Sequence, residues 1–234
     1  MPPVRNYSNW NNRPSDENIQ VEPFRKYFFI CEGANTETWY FKKLIDIRKQ
    51  LNIHPLIDIC LLEKTDEDKN LSYPQKLVEF AEKQKDNPDI SFDRERDKMI
   101  VVFDADIYEK KAQGYEELVQ EGEKNNILAV TNPAFELFLL LHFPNSFEED
   151  ILPNEEDIIK NEKTGSKTFI YNLLLNRTHI NPKKNEQIGE LASSVEIAIE
   201  QEKKVNQDIH DCKGKITSNV GKIIDDIRKE GTQL

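Results

Sequence analysis

The fold is decided by two stretches, Lys26-Tyr-Phe-Phe-Ile-Cys-Glu-Gly33 and Lys98-Met-Ile-Val-Val-Phe-Asp-Ala-Asp106. Each is a run of apolar residues, mostly β-branched or aromatic, that stops abruptly at carboxylates. Such runs are typical of strands that are buried on both faces, as in a parallel sheet. Because ligands of open α/β sheets bind outside the carboxyl ends of the strands, we expect Glu32, Asp104 and Asp106 to lie at a binding site.

Three carboxylates in one crevice repel one another unless a cation lies between them. A hard cation that prefers oxygen ligands, Mg²⁺ or Mn²⁺, suits such a group. Residues i and i+2 of a strand share a face, so Asp104 and Asp106 are expected to reach one ion together. The alternative for each acid is structural, because an acid at the end of a strand is often the first polar residue of a loop or the N-cap of the next helix.

Apolar runs and helical periodicity alternate up to residue 145. Predicted strands cover residues 26–31, 55–62, 99–103 and 127–130, and predicted helices between them cover 37–51, 74–84 and 115–124. This β-α order predicts an α/β domain over residues 24–145, with a mainly parallel four-stranded sheet and helices on both faces. Residues 1–23 show no periodicity and are predicted to form a flexible N-terminal arm.

The turn after the first predicted strand contains Gly33, which allows the backbone a tight approach at a strand-to-helix connection. Thr36 is expected to be the N-cap of the following helix. The backbone N–H groups of this turn would point at the same crevice as Glu32, where they could bind a phosphate.

The most apolar part of the chain is Asn132-Pro-Ala-Phe-Glu-Leu-Phe-Leu-Leu-Leu-His-Phe143. Asn132 as N-cap and Pro133 at the first helical position predict a helix that is buried nearly all round. A buried charge is costly without a partner, so Glu136 either faces the metal site or a substrate group, or it forms a structural pair with a lysine or arginine. His142 is predicted to be structural, at the end of this helix.

Residues 146–234 are predicted to form a helical C-terminal extension without strands. Its expected helices cover residues 155–161, 167–176, 186–205 and 216–229. The basic loop at residues 177–184 is either a solvated face or a phosphate contact.

Composition limits the partners. Of the 234 residues, 37% are hydrophobic and 32% are charged, and the net charge is −11. An acidic protein does not bind nucleic acid through its overall field, so such binding needs a local basic patch, metal ions or a partner. We find no signal-peptide pattern and no apolar run long enough to span a bilayer. Three cysteines without metal-ligand spacing fit a cytoplasmic protein.

Three motifs together resemble the RloB family, over about residues 25–145. They are Cys31-Glu-Gly-x-x-Thr-Glu-x-x-Tyr-Phe41, Phe103-Asp-Ala-Asp106 and Asn132-Pro-x-Phe-Glu-Leu-x-Leu-Leu-x-His-Phe143. That family belongs to the Toprim fold group of topoisomerases, primases and overcoming-lysogenization-defect nucleases, which bind Mg²⁺ and cleave or join phosphodiesters. The resemblance implies that Glu32 is the acid/base or a metal ligand, and that Asp104 and Asp106 are metal ligands. Many members have a further acid or histidine after Asp106, where this chain has Ile107 and Tyr108.

Family members occur in bacterial and archaeal defence loci, often beside an AAA/ABC-like ATPase. We therefore expect a Mg²⁺-dependent Toprim nuclease that acts on nucleic acid in antiphage defence of the abortive-infection type, with an ATPase partner and no membrane partner. Gly33, Asn132 and Glu136 would bind substrate or support the metal ligands. The alternative is a catalytically weak regulatory subunit or adaptor that binds a nucleotide or a partner. The sequence leaves open DNA against RNA, and the oligomeric state.

Overall fold

The computed structural model describes residues 23–63, 73–110 and 114–230. The strands are β1 (Arg25–Cys31), β2 (Ile57–Leu62), β3 (Lys98–Asp104), β4 (Ile127–Asn132), β5 (Lys163–Thr164), β6 (Lys167–Thr168) and β7 (Thr217–Ser218). The central sheet has five strands in the order β2-β1-β3-β4-β7. Its first four strands are parallel and β7 is antiparallel to β4. The predicted mainly parallel sheet is therefore confirmed, whereas the predicted N-terminal arm lies outside the described residues except for Pro23.

The α-helices are α1 (Thr36–Asp46), α2 (Pro74–Gln84), α3 (Asp106–Lys110), α4 (Tyr115–Gly122), α5 (Phe135–Leu140), α6 (Glu155–Lys160), α7 (Phe169–Thr178), α8 (Val195–Glu202) and α9 (Val220–Glu230). Shorter helical segments are the π-helical turn Phe147–Ile151 and the 3₁₀ helices Leu152–Asn154, Glu186–Ser194 and Ile209–Asp211. Among the helices of the described residues, none is long and apolar enough to cross a membrane.

Strand β1 shows how the sheet is covered on both faces. Successive side chains of a strand point to opposite faces. Phe29 and Cys31 pack in one core with α1, α5, α7, α8 and α9. Phe28 and Ile30 pack in a second core with α2 and α4. The continuous apolar run thus follows from burial on both faces, as the sequence predicts.

Helix α5 is buried along its whole length, from Phe135 to Leu140. It lies in the first core together with residues of α7, α8 and α9, such as Leu174, Ala198 and Ile224. The expectation of a helix buried nearly all round is confirmed. The predicted domain boundary near residue 145 stays a prediction, although residues from both sides of it share this core.

The start of α5 differs from the prediction. Asn132 is the last residue of β4, the Asn132–Pro133 peptide is cis, and Ala134 precedes the first turn of α5. Asn132 is not an N-cap, because its side-chain nitrogen donates to the carbonyls of Cys212 at 3.0 Å and Lys215 at 2.9 Å.

The C-terminal segment also contributes to the sheet, so the expectation that it has no strands is wrong. Strand β7 pairs with the carboxyl end of β4. The side chain of Asn219 continues this pairing: its oxygen accepts from the Val130 amide at 2.7 Å, and its nitrogen donates to the Leu128 carbonyl at 2.8 Å. A side-chain amide thereby satisfies backbone groups of β4 that would otherwise form an open edge.

A buried carboxylate fixes α9 beside this strand. Glu202 accepts hydrogen bonds from the Ser218 hydroxyl at 2.5 Å and from the backbone amides of Gly221 at 2.8 Å and Lys222 at 2.7 Å. These amides lie in the first turn of α9, where a negative charge is stabilised by the helix dipole. Burial nevertheless raises the pKa of Glu202 to about 7, against the opposing effect of these donors.

The closest helix contact gives a test of the packing. The 3₁₀ helix Glu186–Ser194 lies against α1 so tightly that a Cβ added at Gly189 would lie 2.6 Å from the Trp39 carbonyl oxygen. We expect Gly189→Ala to lower the free energy of unfolding by about 1–3 kcal/mol, because backbone cannot move aside as a side chain can. Urea denaturation measures this change.

Ser193→Ala is the matched control, because Ser193 is an exposed residue of the same 3₁₀ helix. Its expected effect lies within about 0.5 kcal/mol. Equal unfolding midpoints for the two variants would contradict the close packing.

Candidate functional site

Two predicted acids meet at the carboxyl edge of the sheet. Glu32 follows β1 and is held to β3 by its amide, which donates to the Val102 carbonyl at 2.9 Å. Asp104 is the last residue of β3. The Asp104 amide donates to the Glu32 carboxylate at 3.2 Å, and the Thr131 hydroxyl donates to the Asp104 carboxylate at 2.6 Å. The structure therefore brings Glu32 and Asp104 together, and β4 supplies the residue that orients Asp104.

The environment of Asp104 opposes its ionisation. Its side chain is partly accessible to solvent, yet protein atoms closely surround the carboxyl group. This burial raises the pKa of Asp104 well above its usual value, and the charges of Glu37, Glu32 and Glu136 raise it further. The hydrogen bond from Thr131 acts in the opposite direction. The charges of three carboxylates thus act on Asp104, and we call the four residues the acid cluster: Glu32, Glu37, Asp104 and Glu136.

Glu37 is a member of the acid cluster that the sequence reasoning missed. It lies in the first turn of α1, and its carboxylate occupies the space that a Cβ on Gly33 would need. The glycine therefore allows the Glu37 carboxylate to approach the backbone. The signal was the Glu-Gly-x-x-Thr-Glu spacing, which places a second acid one helical turn beyond the predicted site. A substrate contact by Gly33 stays a prediction.

Asp106 differs from its predicted setting. Strand β3 ends at Asp104, and Asp106 is the first residue of α3. The two acids are therefore not same-face neighbours on a strand, and that part of the prediction is wrong. The Ala105 amide still donates to the Thr131 carbonyl of β4 at 2.8 Å, and the chain enters α3 at the next residue. A role for Asp106 as a metal ligand stays a prediction.

Glu136 has the ion-pair partner of the structural alternative, whereas its role toward a metal or a substrate stays a prediction. The Glu136 side chain is only 4% exposed, and its Oε1 lies 3.4 Å from the ammonium nitrogen of Lys183. The charge of Glu136 also raises the pKa of Asp104. The lysine is the ion-pair partner that a buried carboxylate needs, and the pair lies at the candidate site.

The loop that carries Lys183 is anchored to the turn between β1 and α1. The buried Thr36 hydroxyl donates to the Pro182 carbonyl at 2.8 Å, and the Asn35 side chain donates to the Lys183 carbonyl at 2.9 Å. Helix α1 begins at Thr36, which is therefore not an N-cap. The charges of Glu136, Glu37 and Asp104 raise the pKa of Lys183, with Glu136 having the largest effect.

Asn132 and His142 hold the surrounding structure. The amide nitrogen of Asn132 binds the 212–215 segment, and its predicted contact with a substrate stays a prediction. The ring of His142 is buried between α1 and α5. Its Nδ1 lies 2.9 Å from the Phe138 carbonyl, which can only accept, so Nε2 accepts from the Tyr40 hydroxyl at 3.0 Å. Burial lowers the pKa of His142 to about 4. The structural interpretation of His142 is confirmed.

The acid cluster fits a hard divalent cation by the chemistry of its donors, which are all carboxylate oxygens. Burial, together with the charges of Glu37, Glu32 and Glu136, raises the pKa of Asp104, and a bound cation would oppose this effect. Within residues 23–63, 73–110 and 114–230, no group of three or more His, Cys, Asp or Glu side chains is arranged around a common point as a metal shell. The fit to an ion therefore rests on the chemistry of the carboxylate donors.

Comparison with known proteins identifies the family. A family model described as RloB-like protein matches residues 27–227. The chain therefore belongs to the RloB-like protein family, and the match extends beyond the motifs at residues 25–145 into the C-terminal segment. No curated protein and no solved structure matches the chain.

His142 gives a pH test of the site's support. The folded state holds this ring neutral down to about pH 4, whereas an unfolded histidine takes up a proton near pH 6.5. The unfolded state therefore binds more protons between these values, and stability is lost as the pH falls through this window. Between pH 7 and pH 4 the free energy of unfolding of the wild type should fall by about 3 kcal/mol more than that of His142→Gln, because glutamine can hydrogen-bond but does not titrate.

Urea denaturation across this pH range measures the effect. His179→Gln is the control, because the His179 side chain is exposed. Equal slopes of stability against pH for wild type and His142→Gln would contradict the buried neutral ring.

Proposed function

We propose that the protein is a Mg²⁺-dependent phosphodiesterase of the Toprim type that cleaves nucleic acid. The observation that carries this proposal is the contact between Glu32 and Asp104 at the carboxyl edge of a parallel sheet, where the charges of Glu37, Glu32 and Glu136 all raise the pKa of Asp104. Ligand sites of open α/β sheets form at this edge. Membership of the RloB-like family over residues 27–227 is consistent with the resemblance from which the Toprim likeness was drawn.

In this mechanism Glu32, Asp104 and Asp106 would hold the ion, with Glu37 beside them. A bound Mg²⁺ lowers the pKa of water and offsets the charge that develops on a phosphate. Glu32 is the residue for proton transfer, because its carboxylate is positioned by the Asp104 amide and its side chain is partly exposed. The Thr131 hydroxyl fixes the orientation of Asp104.

The wider role belongs to the same proposal. We place the protein in antiphage defence of the abortive-infection type, beside an AAA/ABC-like ATPase, on the basis of the family resemblance. A net charge of −11 implies that nucleic acid is bound through local contacts, metal ions or the partner. A count of only three cysteines, without metal-ligand spacing, fits a cytoplasmic location.

Divalent ions should stabilise the protein through the acid cluster. At about 100 times its Kd, Mg²⁺ or Mn²⁺ should raise Tm by about 5–10 °C, because the ion binds only the folded state. Asp104→Ala should abolish this rise, together with metal-dependent cleavage of labelled DNA or RNA. Asp89→Ala, in an exposed loop, should preserve both. An unchanged metal response in Asp104→Ala would place the ion elsewhere.

The same experiment decides between the proposal and its alternative. A rise in Tm that depends on Asp104, without cleavage of single-stranded or double-stranded DNA or RNA, would favour a catalytically weak subunit that binds a nucleotide or a partner. The replacement of a further acid by Ile107 and Tyr108 is the feature that favours this alternative.

A further inference from the structure

We propose that Lys183 is the phosphate-binding residue of the acid cluster. The proposal rests on the proposed function, since it takes the substrate to be a nucleic acid. Of the two alternatives that the sequence left open for the basic loop at residues 177–184, it chooses the phosphate contact over the solvated face, and it thereby gives the C-terminal segment a direct contact with the substrate.

The position of Lys183 is built into the fold. Two hydrogen bonds join its loop to the β1–α1 turn, one from the buried Thr36 to the Pro182 carbonyl and one from Asn35 to the carbonyl of Lys183 itself. This turn also carries Gly33 and leads into Glu37. The lysine backbone is therefore fixed to the element that forms one wall of the acid cluster.

The side chain of Lys183 contacts a buried acid and is itself largely exposed to solvent. Its ammonium lies 3.4 Å from a carboxylate oxygen of Glu136, whose side chain is 4% exposed, while the lysine side chain is 62% exposed. A charge-assisted hydrogen bond in strong geometry is about 2.7–2.9 Å long, so this contact is a loose one. An ammonium has three donors, and the accessible side chain lets it reach a ligand that approaches from solvent.

Charge identifies the ligand. Four carboxylates repel a polyanion, and the chain as a whole carries a net charge of −11. A cation at the mouth of the cluster offsets this repulsion where a phosphate would have to approach. Lysine binds phosphate as a flexible point charge. A phosphate contact carries no sequence information, so Lys183 would hold the backbone of the nucleic acid and leave the bases unread.

Lys184 offers a matched control, because it is exposed and adjacent in the same loop. We would compare Lys183→Gln with Lys184→Gln by fluorescence anisotropy, using two labelled single-stranded oligonucleotides of different sequence. Ca²⁺ would supply a divalent ion under conditions chosen to limit cleavage. Lys183→Gln should weaken binding of both oligonucleotides about fivefold to tenfold and lower the slope of log K against log salt by about 1. Lys184→Gln should bind as the wild type does.

Lys183→Arg keeps the positive charge and should restore binding, which separates a lost contact from a damaged fold. The Mn²⁺-induced rise in Tm should persist in Lys183→Gln, because the carboxylates are unchanged. Equal binding by the two glutamine variants, or weakening of only one oligonucleotide, would overturn the proposal.

Failure of the proposed function would look different. A metal response that does not require Asp104 contradicts the metal site alone, and the comparison of the lysine variants still decides the role of Lys183. If the wild type binds neither oligonucleotide, both proposals are contradicted.

Discussion

Helix α5 is buried on every face and is apolar except for Glu136, and such a helix is stable only where other elements cover every face. The sheet covers one side, and α7, α8 and α9 complete the same core. The C-terminal segment is therefore required by the composition of α5, whose six residues from Phe135 to Leu140 are all buried. Burial of this one helix therefore joins the sheet and α1 to α7, α8 and α9 in one core.

The candidate site depends on the packing of the C-terminal segment against the sheet and α5. The elements that cover α5 also bring the 180–185 loop onto the β1–α1 turn, where Thr36 and Asn35 hold it. Glu136 lies on α5 itself and is paired with a lysine from that loop. The acid cluster consequently combines residues from strand ends, from α1 and from α5, and its positive charge comes from a segment distant in sequence. The positive charge of Lys183 thereby offsets the negative charge of the buried Glu136.

The strands and the meeting of Glu32 with Asp104 could be predicted, because an uninterrupted apolar run ending in an acid is a local signal. Lys183 could be placed only in a basic loop that was either a solvated face or a phosphate contact, since its pairing with Glu136, 47 residues away, leaves no local pattern. Asn132 looked like an N-cap because that preference is statistical, whereas its side chain binds the carbonyls of Cys212 and Lys215. Strand β7 has only two residues, too few to show an alternation.

The pairing of β7 and Asn219 with β4 has a consequence for synthesis. A chain growing on the ribosome completes β4 at Asn132 long before residue 217 emerges. Until then the edge of β4 exposes unpaired backbone groups that can join another chain, and α5 lacks its outer cover. We expect the nascent protein to pass through an interval in which it needs protection from aggregation. The residues of the acid cluster are synthesised early, whereas the 180–185 loop and β7, which fix their surroundings, are synthesised late.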